Sequence, residues 1–116
     1  MERIIKSMEN KYLLPSLELV QEVFSEWDSL EEGKMVRQLV EEIRAKKFYI
    51  PELELVMVNE NDEIIGYAMF SRFHIEGKYE NELLILTPVA VKTRLQRQHI
   101  SKDILEYGLS LIHISE

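Results

Sequence analysis

The apolar residues of this chain change spacing twice, and that order limits the fold more than any single motif does. In "LLPSLELVQEVF", Leu17, Val20 and Phe24 recur at helical intervals, and Pro15 suits a first turn, where its missing amide hydrogen is not needed. "DSLEEGKMVRQLVEEIRAKK" is the clearest helix. Ser29 and Glu32 make an S-x-x-E capping box there. Val36, Leu39, Val40 and Ile43 share an apolar face, and Lys46 and Lys47 suit the negative helix end. Gly33 weakens the first turn slightly.

After Pro51 the interval drops to two. "ELELVMV" puts Leu53, Leu55 and Met57 on one face. "NEND" is a turn, and "EIIGYAMFSRFHI" is a longer strand with Ile65, Tyr67 and Met69 opposed to Ala68 and Phe70. "EGKYEN" is a second turn and "ELLILTPVAV" a third strong strand. Helical spacing then returns. Ile100, Ile104, Leu105, Leu109 and Ile112 fall on one stripe, while Lys102, Asp103 and Glu106 face away. With "RIIKSM" as a short first strand, the order is strand, two helices, three strands, helix. That predicts one α+β domain over residues 1–116 with a mainly antiparallel sheet.

The chemistry concentrates in "PVAVKTRLQRQHISKDILEYG", residues 88 to 108. Pro88 cannot donate a ladder hydrogen bond, so it belongs at an edge or a bulge. A bulge there would leave backbone groups of Val89, Ala90 and Val91 open to an extended, amide-bearing ligand. A helix then starts near Gln98, and the unpartnered N–H groups of its first turn favour an anion. Arg97 and Lys102 add charge at that mouth.

Composition narrows the ligand classes. The formal net charge of −7 disfavours a general nucleic-acid or anionic-membrane surface. Lys92, Arg94, Arg97 and Lys102 nevertheless place four of the 14 basic residues within one short stretch, read either as a local anion site or as a solvated turn. There is no cysteine, so disulfides and thiolate zinc sites are excluded and a reducing interior is allowed. The start lacks the apolar run of a signal peptide, and apolar runs such as Leu83 to Leu86 are far too short to span a membrane. The expectation is a cytoplasmic protein. The three histidines form no H-x-x-x-H pair, so no metal site is expected, and no nucleophile elbow or Gly-rich nucleotide motif is present.

At this point the residues resemble a family. "LTPVAVKTRLQRQHISKDILEYGL" is similar to the acetyl-CoA motif of the GNAT (Gcn5-related) N-acetyltransferases, with Gln96-Arg97-Gln98-His99-Ile100-Ser101 standing for Gln/Arg-x-x-Gly-x-Gly/Ala. Upstream, "PELELVMVNENDEIIGYAMFSRFHIEG" resembles the family's second and third strands, and "EEGKMVRQLVEEIRAKK" its second helix. The resemblance covers roughly residues 1 to 112. It implies a GNAT-like (acyl-CoA N-acyltransferase) mixed sheet splayed open at its fourth strand. Acetyl-CoA as co-substrate would lie along Val89, Ala90 and Val91, with its pyrophosphate held by Gln96, Arg97, Gln98, His99, Ile100, Ser101 and Lys102. An amine of unknown identity would attack the thioester directly.

Two departures matter. His99 and Ser101 occupy the usual glycine positions. Ser101 can itself bond an oxygen or cap the helix. If position 99 needs φ > 0, His99 adds backbone strain of roughly 1–3 kcal/mol; if not, it crowds the diphosphate. Losing two anion contacts would weaken binding by roughly two to four decades, part of which a protonated His99 would recover. Second, family members continue past the last helix into further strands, whereas "SLIHISE" ends this sequence. An uncovered edge at the fourth strand would pair with something, so the expectation is a homodimer, a swapped assembly, or a piece of a longer protein.

Glu82, opening the fourth strand, and His74, ending the third, are weak candidates for a general base; for each the alternative is an ordinary surface residue. Trp27, with Phe24, reads as an inter-helix core anchor rather than a ligand-stacking ring. Tyr79, Tyr107 and His113 read as packing or surface residues. The rival function is a catalytically inactive GNAT-like relic serving as a dimerisation or interaction module.

Overall fold

A computed structural model describes residues 3–47, 49–73, 83–96 and 98–115. Its elements follow the expected order: β1 (Ile4–Ser7), α1 (Leu13–Trp27), α2 (Leu30–Arg44), β2 (Glu54–Val58), β3 (Ile64–Phe73), β4 (Leu83–Val91) and α3 (Ile100–Ser115). Short 3₁₀ turns at Pro51–Leu53 and Thr93–Leu95 lead into β2 and out of β4. The four strands lie in chain order, and each neighbouring pair is antiparallel.

Both faces of the sheet are covered. On one, Val20, Val40, Val56, Tyr67 and Met69 pack with the α1–α2 hairpin. On the other, Leu55, Ile65, Phe70, Ile100 and Ile104 form the core beneath α3. Leu53, Leu55 and Met57 share that second face, as their alternation predicts. The Ser29 cap forms, its Oγ accepting from the Glu32 amide at 3.1 Å. The "NEND" turn closes on Asn59, whose Oδ1 accepts from the Asn61 and Glu63 amides at 2.9 and 3.0 Å. The "EGKYEN" turn lies outside the described residues.

Several expectations about facing are corrected. Ile65 sits under α3 with Ala68 and Phe70, not opposite them with Tyr67 and Met69. The cause is a register shift in the β2–β3 ladder, where Met57 pairs Gly66 but Val58 pairs Ile64; the extra residue flips the local parity. In α2, Val40 and Ile43 are buried but Leu39 is exposed. Leu109 is likewise 49% exposed, because the α3 face that meets the sheet is Ile100, Ile104 and Gly108. A Cβ on Gly108 would stand 2.2 Å from the Phe70 ring, and one on Gly66 would stand 2.7 Å from both Ile100 and Ile104. Glycines on both partners therefore set how closely helix and strand approach. The segment "SLIHISE" continues α3 as far as Ser115 rather than forming a loose tail.

Glu54 is fully buried at the start of β2. Its carboxylate accepts from Arg44 Nε at 2.8 Å and from the Tyr49 and Tyr67 hydroxyls, with Tyr67 at 2.5 Å. The same guanidinium donates to Ser16 Oγ at 2.7 Å and the Leu13 carbonyl at 3.2 Å. One ion pair thus ties both helices to the sheet. Burial, and then the neighbouring Glu54 carboxylate, push both tyrosine hydroxyls well above their ordinary pKa.

Candidate functional site

Pro88 lies where the β3–β4 register slips: Ala68 pairs Val89, whereas Phe70 pairs Leu86. Two steps on β3 thus match three on β4, and β4 is also the last strand of the described sheet. Both places that suit an internal proline coincide here.

Beyond the bulge the ladder is regular. Tyr67 pairs Ala90, Gly66 pairs Val91, and the Lys92 amide donates to the Ile65 carbonyl at 3.0 Å. In an antiparallel pair the N–H and C=O of successive residues point to alternate sides. Lys92 and Ala90 therefore aim at β3, and Val89 and Val91 aim outward. Ala90 is corrected accordingly: its backbone serves the ladder and its side chain is buried in the core. The Val91 carbonyl accepts from the Gln96 side-chain amide at 3.4 Å, as an outward-facing group can.

The helix begins two residues later than expected, at Ile100, and the Asp103 amide makes its first internal bond, to the His99 carbonyl at 3.0 Å. Among the described residues nothing accepts from the amides of Ile100, Ser101 and Lys102. His99 has φ +63°, the left-handed region that glycine enters freely and a side chain enters at a cost of about 1–2 kcal/mol. Position 99 does require the backbone shape that the resemblance assigns to glycine.

These groups border one cavity of about 540 Å³. Val89 and Val91 line it from the strand, Leu95 and Gln96 from the turn, and His99 to Lys102 from the helix start. Gln98 lies beside this rim, where its carbonyl accepts from Arg3 at 3.2 Å and its side-chain oxygen meets the same guanidinium. Arg3 is a cation that sequence reasoning missed, since 95 positions separate it from Gln98. The basic stretch does not converge as a unit. Lys102 lines the cavity and pairs with Glu106 at 3.4 Å. Lys92 turns to Glu63 at 3.8 Å and borders a different cavity. Arg97, His74, Glu82 and Tyr79 lie outside the described residues.

The remaining wall belongs to α1: Val23, Phe24 and Trp27. Trp27 is corrected here. It is 74% exposed and anchors nothing between the helices, because α1 ends on it. Helical spacing could flag its face but not where the helix stops.

A GNAT family acetyltransferase from Brucella melitensis, solved in complex with acetyl-CoA, superposes on 98% of this chain and 70% of its own with a TM-score of 0.81 and 21% identity. The chain has the GNAT fold. Another GNAT neighbour is the YhbS N-acetyltransferase from Escherichia coli in complex with CoA, at TM-score 0.71 and 23% identity over 95% of this chain and 56% of that one. A putative acetyl transferase from Pyrococcus furiosus matches at TM-score 0.73 and 16% identity, over 95% and 74% of the two chains. At these identities the likeness to GNAT proteins is one of fold. No protein-family model matches the chain, and no curated protein matches it either.

Proposed function

We propose that this chain is an N-acetyltransferase that moves an acetyl group from acetyl-CoA to an amine by direct attack. The observation that carries this reading is the convergence on one cavity of two kinds of backbone group that have no backbone partner among the described residues. Val89 and Val91 offer outward strand groups to an amide-bearing arm, and the first-turn amides of α3 offer donors to a diphosphate. The residues present fit such a ligand: the groove is open along β4, Ser101 and Lys102 face it, and the backbone at His99 already has the glycine-like turn. Two of the fold neighbours were solved with acetyl-CoA or CoA, which supports the same cofactor here.

Acetyl-CoA supplies the activated acyl group. The protein's part is to align its arm along the strand, to neutralise its phosphates at the helix start, and to take the proton that the amine loses. Glu82 and His74 remain the candidates for that base. Gln96, Gln98, Ile100 and Arg97 complete the proposed cofactor contacts. A cytoplasmic setting belongs to the same proposal and rests on the cysteine-free composition.

The outward groups of Val89 and Val91 also suit pairing with a second copy, which keeps an edge-to-edge homodimer or swapped assembly as the second reading. The same groups cannot serve both partners, so the two readings compete. The test is a thermal-shift series with acetyl-CoA, desulfo-CoA and ATP, followed by release of free CoA thiol in the presence of an amine panel. Stabilisation by both CoA species together with amine-dependent thiol release is expected. No stabilisation by millimolar acetyl-CoA would leave the interaction-module reading standing instead. Sedimentation with and without acetyl-CoA then separates the two uses of the edge: ligand should dissolve an edge dimer.

A further inference from the structure

The cofactor groove has two unlike sides. One is the outward backbone of Val89 and Val91, a row of peptide groups. The other is the end of α1, where Phe24 is half-buried against the core and Trp27 stands free at the rim. That end is fixed to the turn that precedes α3, since the Thr93 hydroxyl donates to the Glu26 carboxylate. The aromatic wall is therefore held at a set place opposite the strand edge and next to the helix start. A ligand with amides along one side and methyl and methylene groups along the other matches this pairing, and the pantetheine arm of CoA has that chemistry.

We propose that Phe24 and Trp27 form the second wall of the cofactor groove and clamp the pantetheine arm against β4 from the α1 side. Trp27 is then a positioning residue whose exposed indole is covered when the groove fills. This rests on the reading of the groove as a CoA site, and the experiment below separates failure of the clamp from failure of that site. Nothing in the spacing of the sequence marks Trp27 for this role. It follows from α1 ending beside the open edge of β4.

Trp27 is the sole tryptophan, so indole emission reports on this wall alone. Binding of acetyl-CoA is followed in parallel by calorimetry and by emission, for the unaltered chain and for the Trp27→Phe and Trp27→Ala variants. The side chain is largely exposed, so neither variant should lose its fold. The expected result is an emission change that saturates with the calorimetric isotherm. 4′-Phosphopantetheine reproduces it and ATP does not. Trp27→Ala weakens acetyl-CoA about tenfold, and Trp27→Phe by about twofold or less. Calorimetric binding with unchanged emission and equal affinity in Trp27→Ala overturns the clamp and leaves the CoA site intact. A full emission change with ATP alone also overturns it, since the indole then reads the nucleotide end. Neither heat nor emission change at millimolar acetyl-CoA overturns both readings together.

Discussion

The Lys92 amide donates to the Ile65 carbonyl at 3.0 Å, and that bond sets the parity of the strand end that precedes it. It makes Ala90 a ladder residue and leaves Val89 facing out. Proline scanning should expose the difference. Val89→Pro removes an outward N–H from an edge strand, so it should fold and lose acetyl-CoA affinity by about tenfold or more. Ala90→Pro removes a ladder bond inside the sheet and should cost about 1–3 kcal/mol of stability, the penalty of an unsatisfied buried carbonyl. Urea melts and calorimetry check both, and the reverse pattern would show the parity assignment to be wrong.

His99 adopts φ +63° without being glycine. His99→Gly should relieve left-handed strain, offset in part by the greater entropy glycine loses on folding. The expected net gain is about 0.5–1 kcal/mol in stability. It also clears space above the first-turn amides, so acetyl-CoA should bind about tenfold more tightly. Thermal melts and calorimetry on the two proteins measure this. Weaker binding by His99→Gly would mean that the imidazole is itself a ligand contact.

Lys102 is exposed and, among the described residues, pairs with Glu106 one helical turn on, so its contribution to stability should be small. Lys102→Ala should leave the melting temperature within error. It should weaken acetyl-CoA by about threefold to tenfold and reduce the dependence of binding on salt. An unchanged salt dependence would remove Lys102 from the phosphate contacts.

Arg44 and Glu54 form the buried pair that joins helices to sheet. Arg44→Met strands a carboxylate and should cost about 3–5 kcal/mol in chemical denaturation. The two tyrosines on that carboxylate add a pH dependence. Their folded pKa values are raised, so their stabilisation is complete below the ordinary tyrosine pKa and is lost as pH climbs past about 10, where the unfolded chain ionises first. Ultraviolet titration should show Tyr49 and Tyr67 ionising only as the protein unfolds. Ionisation of all five tyrosines in the folded state would contradict their placement.

The order of elements was legible because each depends on local spacing. Ser29 capped its helix and "ELELVMV" kept its alternation as read. The fourth strand, its proline and the following helix marked the candidate site by the same local means, and the cavity beside β4 and the start of α3 lies where they put it. Facing failed where parity depends on a neighbour: Ile65 flipped because β2 and β3 slip by one residue, and pairing register is not a property of either strand alone. Leu109 failed because the α3 face that meets the sheet passes through Gly108, where the Phe70 ring packs, and an apolar stripe does not register a glycine.

The sequence by itself therefore determined which segments are helices and strands and where a helix start follows the last strand of the sheet described, since short-range spacing, caps and proline act within a few residues. Only the tertiary structure decided that Val89 and Val91 face outward, that Arg3 reaches Gln98, that Lys92 leaves the basic group, and that Trp27 borders the groove. Those are relations between segments far apart in the chain, fixed by strand register, by helix ends and by how near glycine lets α3 come to the sheet.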